Sequence, residues 1–144
     1  MKQIEQNVGY LLVQVCKAHR QCADVALNEH GVHVGQEMIL MQLYCQEGVP
    51  QSQLVEALGV EPPTVTRMLQ RMEAAGLVER RPDPADARVS LVFLTEQGRE
   101  TQRPVLRSWE ELEARFVAGL TDMEKALLRR LLMHVLGNLN SQPS

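Results

Sequence analysis

With 144 residues, 16.2 kDa, 44% hydrophobic and 23% charged side chains and a net charge of −3, the chain suits one compact domain and is too apolar for a disordered segment. No apolar run approaches the ~18 residues of a membrane span, and the first residues lack the order of a secretory signal. Three cysteines (Cys16, Cys22, Cys45), without paired or metal-type spacing, argue against a disulfide scaffold and for a reducing cytoplasm. Aromatics at 3% disfavour stacking platforms for sugars or single strands. The charge is uneven. Residues 1–63 carry three basic and seven acidic side chains, residues 64–90 five and four, and residues 91–144 seven of each. The middle segment is the least acidic part, and its arginines cluster. Local charge, more than the isoelectric point, is what a small nucleic-acid surface needs.

In chain order, apolar residues recur at helical spacing from 4 to about 29 (Ile4, Val8, Leu11, Leu12, Val15, Cys22, Val25, Ala26), and Gly31 ends that run. A second helix is predicted over 34–46, closed by Gly48. A short third helix is predicted over 50–58, with Pro50 at its start and Gly59 at its end. Pro62 and Pro63 open a fourth helix that runs to Ala75, with Gly76 as its left-handed cap. The period then changes. Residues 77–81 and 89–94 read as two strands of one hairpin, and residues 82–86 form a turn cluster, because two prolines cannot sit in a paired central strand. Thr95 restarts a helix to about Ala118, bent by Pro104. Thr121 and Glu124 have capping-box spacing, and a last helix follows with Leu127, Leu128, Leu131, Leu132, Val135, Leu136 and Leu139. The tail from Ser141 is expected to fray. The fold class is mostly α with one hairpin (α+β).

Helix three, the Gly59 turn and helix four read as a helix–turn–helix between Gln51 and Ala75. Val65, Met68, Leu69 and Met72 share one face of helix four, which must be buried. The opposite face carries Pro63, Arg67, Gln70 and Ala74, flanked by Thr64, Thr66 and Arg71. Small and polar residues beside long arginines suit a helix lying in a major groove. Arg67 is the candidate for a guanine edge or a phosphate. Thr64 and Thr66 are candidates for a phosphate or a thymine methyl. A solvated amphipathic face is the bland reading, and the hairpin downstream shifts the balance against it. A strand–turn–strand after such a helix makes a winged helix–turn–helix. Arg88 at its tip suits a narrow minor groove, with Asp86 bracing the guanidinium. An ordinary surface ion pair is the alternative there.

Residues 62–80 (PPTVTRMLQRMEAAGLVER) resemble the recognition helix and first wing strand of the MarR family. Residues 83–88 (DPADAR), then 89–94, Thr95 and Gly98, resemble that family's wing and the start of its fifth helix. The resemblance runs from Val8 to Leu139. It implies a homodimeric winged-helix transcription factor, usually a repressor, whose DNA affinity falls on binding a small ligand or on oxidation. It divides one domain (1–144) into a winged helix–turn–helix lobe at about 34–98 and dimerisation helices at about 4–30 and 99–140. One departure is Glu61, where many relatives have serine or a similar short polar residue. Glutamate is a poor N-cap and sets negative charge where a phosphate would approach.

The terminal helices carry apolar stripes that the middle of the chain cannot cover, which predicts pairing across a two-fold axis and an inverted-repeat site. The resemblance places an effector pocket where the dimerisation helices meet the winged lobe. Tyr10, His33, Met38 and Tyr44 come from the corresponding segments, and a phenolic molecule is the effector class expected. Cys16, His19 and Cys22 are spaced by three, which sets the two cysteines ~120° apart around a helix, so they cannot pair within it. Small fillers are the reading preferred for Cys16 and Cys22, and Cys45 reads as structural. Peroxide-sensing relatives carry their cysteine where this chain has Gly9, and the His and Glu clusters of zinc-sensing relatives are missing. No metal and no cofactor is expected. No phosphate loop or nucleophile elbow is present, so an enzyme is not expected. The expectation is a cytoplasmic regulator binding double-stranded DNA as a homodimer. The alternatives are a redox-responsive regulator of the same fold and a winged-helix protein-interaction module without DNA binding.

Overall fold

A computed structural model describes residues 2–141. In chain order the elements are α1 (Lys2–Glu5), α2 (Val8–Asn28), α3 (Gln36–Cys45), β1 (Val49–Pro50), α4 (Gln51–Leu58), α5 (Pro62–Ala74), β2 (Val78–Pro82), β3 (Ser90–Leu94), α6 (Glu96–Glu100), α7 (Gln102–Phe116) and α8 (Asp122–Asn140). The class is therefore mostly helical with a small antiparallel sheet, as expected. Two compact units are separable, 1–110 and 111–144.

The core of the first unit forms where α3, α4 and α5 turn their apolar stripes inward. Ile39, Leu40 and Leu43 of α3, Leu54 of α4, and Val65, Leu69 and Met72 of α5 are all buried, with Val92 and Leu94 of β3 behind them. Fully burying each such side chain contributes roughly 1.5–3 kcal/mol. The buried face expected for helix four is thus present, with Met68 half-buried at its margin. Gly59, at φ 64°, ends α4 in the left-handed region and makes the tight turn into α5.

The sheet differs from the hairpin expected. Its order is β1-β3-β2, and Val49 and Pro50 pair with Val92 and Leu91 as a short third strand. Pro82 belongs to β2, opposite Ser90, and is not part of the turn. The rule against proline in a central strand is not broken, because β1 and β2 are both edges, where the missing N–H removes no necessary ladder bond. The first predicted helix is also divided. Asn7, in an extended conformation, starts α2, and α1 precedes it. Asparagine is disfavoured in helix interiors, and here it stands at the N-cap without a side-chain capping bond. The bend assigned to Pro104 falls three residues earlier, where α6 ends at Glu100 and α7 starts at Gln102. Proline clashes with the carbonyl four residues before it, here that of Glu100.

The second unit contains the capping box at Thr121. Its hydroxyl accepts from Glu124 N–H at 3.2 Å, and the Glu124 carboxylate accepts from Thr121 N–H at 2.9 Å. No residue of α8 is buried. Of the tail expected to fray, residues 142–144 lie outside the described residues. No helix among the described residues is long and apolar enough to cross a membrane.

Candidate nucleic-acid interface

The expected recognition face is exposed on α5. Pro63, Arg67, Gln70 and Arg71 are exposed, whereas Thr64 and Thr66 are half-buried. The face points outward because Val65, Leu69 and Met72 pull the opposite stripe into the core. Two prolines at N1 and N2 start α5, and Glu61 at the N-cap makes no side-chain capping bond. Prolines carry no N–H, so this helix start offers fewer amide donors than usual. At the start of α4, Pro50 provides no side-chain cap either, but the next residues, Gln51, Ser52 and Gln53, keep their N–H groups.

The wing tip is tied tightly. Asp83 N–H donates to Val89 O at 2.9 Å, Val89 N–H to Asp86 O at 2.9 Å, and Ala85 N–H to Asp83 Oδ1 at 2.9 Å. On this loop Asp86 and Arg88 meet as the spacing suggested. Arg88 Nε donates to Asp86 Oδ1 at 3.0 Å, Nη2 donates to Oδ2 at 3.2 Å, and the Arg88 backbone N–H adds a third bond at 3.1 Å. These bonds hold the Asp86 carboxyl below the usual carboxylate range. The Arg88 side chain is nevertheless 90% exposed. It is a cation fixed in direction but open to a ligand. Arg88, Val89 and Ser90 also line a groove whose other wall is Gln51, Ser52 and Val55 of α4 and Pro62 of α5.

A polar network not anticipated from the sequence runs behind this surface. Gln51 Nε2 donates to Thr66 Oγ1 at 2.8 Å, and the Thr66 hydroxyl donates to Pro62 O at 3.1 Å. Arg80 Nη1 donates to Gln51 Oε1 at 3.4 Å, while Arg80 Nε bonds the Glu73 carboxylate. Only tertiary folding joins α4, α5 and β2, so no local pattern signals this group. Arg81 stacks its guanidinium on Phe93 at 4.4 Å and pairs with Glu79, so it is occupied within the sheet.

The residues considered for an effector are dispersed over α2, the following loop and α3. Tyr10, His33 and Met38 are exposed. Tyr44 is half-buried, and its hydroxyl bonds Thr101 Oγ1 at 2.7 Å. Burial pushes the Tyr44 phenol up. Among the described residues, the buried indole Nε1 of Trp109 is the side-chain polar atom with no hydrogen-bond partner, and its ring tilts against His19 at 5.9 Å. Cys16 and Cys45 are exposed and Cys22 is half-buried, so Cys16 is not the small core filler expected, and Cys45, read as structural, is not buried. They lie on helix faces that the core does not reach. Among the described residues no three His, Cys, Asp or Glu side chains gather as a metal site.

Residues 34–90, from just before α3 to the first residue of β3, match the MarR family. The chain is 32% identical over 111 residues to the HTH-type transcriptional regulator YdgJ of Bacillus subtilis, covering 77% of this chain and 68% of YdgJ. Its fold superposes on a mutant MarR from E. coli complexed with operator DNA, with a TM-score of 0.82, 29% identity and coverage of 90% and 93% of the two chains. It also superposes on the PcaV regulator of Streptomyces coelicolor in complex with its natural ligand, with a TM-score of 0.83, 25% identity and coverage of 93% and 94%. The chain belongs to the MarR family of winged helix–turn–helix transcriptional regulators, and is not an enzyme.

Proposed function

We propose that this regulator is a cytoplasmic homodimer that binds an inverted-repeat operator in double-stranded DNA, acts as a repressor, and is released by a small molecule. The observation that carries the reading is Arg88, held by Asp86 on a tied loop yet 90% exposed. A free surface arginine would lose rotamer entropy on docking. This one is already directed, which lowers that cost. In the proposed complex α5 enters the major groove with Pro63, Thr64, Arg67, Gln70 and Arg71 toward DNA. Arg88 reaches the adjacent minor groove, where negative potential is concentrated. Phosphates are met at the start of α4, whose Gln51 and Ser52 line the groove beside Arg88, and not at the proline-led start of α5. The operator complex of the MarR relative supports this reading.

Arg88→Ala tests it. Binding to a duplex selected by the unmodified protein is expected to weaken about 10–100-fold, with fold and oligomeric state retained. Unchanged affinity would remove the wing from the mechanism.

The effector part of the proposal rests on α2, α3, the loop between them, and α7. Tyr10, His33 and Met38 offer open contacts, Tyr44 a phenol, and the buried Trp109 N–H awaits an acceptor. A phenol or phenolic carboxylate supplies both a ring and an acceptor oxygen. Trp109 is the chain's one tryptophan, so emission reports on this position directly. A phenolic ligand that releases DNA is expected to change Trp109 emission over the same concentration range. Release with no change in emission would place the effector elsewhere.

A further inference from the structure

We infer that Gln51 is a positioning residue that sets α5 and the wing together, and that Thr66 acts through Gln51 inside the protein and not by touching DNA. The inference rests on the DNA-binding reading above.

The donors and acceptors allow one arrangement. Arg80 can only donate, so it faces the Gln51 carbonyl oxygen, at 3.4 Å. That turns the Gln51 amide nitrogen toward Thr66, at 2.8 Å. The Thr66 hydroxyl accepts this bond and gives its proton to Pro62 O, at 3.1 Å. Arg80 is held on its other side by Glu73. The relay therefore leaves α5 near its C-terminal end, crosses β2, passes through α4 and returns to the first turn of α5.

Its geometry fixes the roll of the helix. At 100° per residue, Pro62, Thr66 and Glu73 fall within ~40° of one another around α5. Val65, Leu69 and Met72 lie on one side of that stripe, and the exposed face of Pro63, Arg67 and Gln70 lies on the other. Apolar packing alone is non-directional and tolerates small rotations. Hydrogen bonds with defined directions do not, so the stripe determines which side chains face outward. The same Gln51 side chain grips Arg80 on β2, the strand that leads into the loop carrying Arg88. One amide on α4 thus references both reading elements to a common frame.

The test uses full-length Gln51→Ala, Thr66→Val, the double variant and Thr66→Ser. The probes are a duplex selected from a randomised pool by the unmodified protein and a scrambled duplex of equal length, at one salt concentration. Gln51→Ala and Thr66→Val are each expected to lower the selected-to-scrambled preference about tenfold, and the double variant to be no worse than either single one. Thr66→Ser, which keeps the hydroxyl, retains the preference and serves as the folding control. Base preferences measured for Thr66→Val are expected to relax both under α5 and under the wing. Two results would overturn the inference: additive losses in the double variant, or relaxation confined to one base position per half-site, as a direct Thr66 contact requires. Preferences equal to the unmodified protein's in Gln51→Ala would overturn it as well. If the unmodified protein selects no duplex, the DNA-binding reading itself fails, and that result is distinct from the others.

Discussion

Arg88 and Gln51 show what a side chain's type and position reveal and what they hide. The pairing of Arg88 with Asp86 was legible because two residues of separation on a turn brings opposite charges together. The role of Gln51 was not, because its partners lie 15 and 29 residues away on other elements. Glu37 is a similar case. It is buried near the start of α3, where its carboxylate accepts from Gly35 N–H at 2.6 Å. Burial pushes its carboxyl above the ordinary value of 4.5, opposed in part by its backbone bonds and the Arg20 charge. The folded chain therefore holds this proton more tightly than the unfolded chain does. The stability it contributes is complete below about pH 4.5 and is lost as pH rises through the folded pKa. Glu37→Gln keeps an acceptor for Gly35 and never ionises. It is expected to raise the melting temperature by about 2–4 °C at neutral pH and to leave it little changed in acid. Equal shifts at both pH values would show that Glu37 does not titrate in this way.

At the scale of elements, helix order and the α4–turn–α5 unit followed from periodicity and punctuation. Apolar residues at three and four spacings marked each stripe, and Gly31, Gly48, Gly59 and Gly76 all take the positive φ expected of helix and turn ends. β1 leaves no signal in the sequence because two residues carry no alternation, and its pairing with β3 is long-range. Pro82 reads as a turn residue in the sequence because whether a strand is an edge depends on the sheet order, which no local pattern carries. Gly98 reads as an ordinary helical residue in sequence, yet a Cβ there would lie 2.0 Å from the Leu77 carbonyl oxygen. Only glycine lets α6 lie against the base of the wing, where Thr95 N–H also donates to that carbonyl at 3.1 Å. Gly98→Ala is expected to cost about 3 kcal/mol in denaturant unfolding, since backbone must move to admit the methyl group. Unfolding at the unmodified midpoint would mean that the approach relaxes freely.

At the scale of the molecule, the apolar terminal helices were evident in the sequence, and the structure leaves them uncovered within one chain. Val8, Leu11 and Val25 of α2 are exposed, as are Leu127, Leu131, Leu132, Leu136 and Leu139 of α8. Each stripe is costly in water, and in the proposed homodimer isologous pairing across a two-fold axis would cover the same residues in both copies. Such a dimer would present two α5 helices and two Arg88 tips to half-sites about one helical turn apart. Leu136→Glu places a charge on the exposed α8 stripe and is expected to shift the chain to monomers and to abolish preference for an inverted repeat. The most direct measurement of the central claim is the mass of the complex formed on a selected duplex, compared with the same duplex with one half-site scrambled. The account predicts two chains on the intact inverted repeat and a large loss of affinity when either half is scrambled. One chain per duplex, with affinity indifferent to the second half-site, would contradict it.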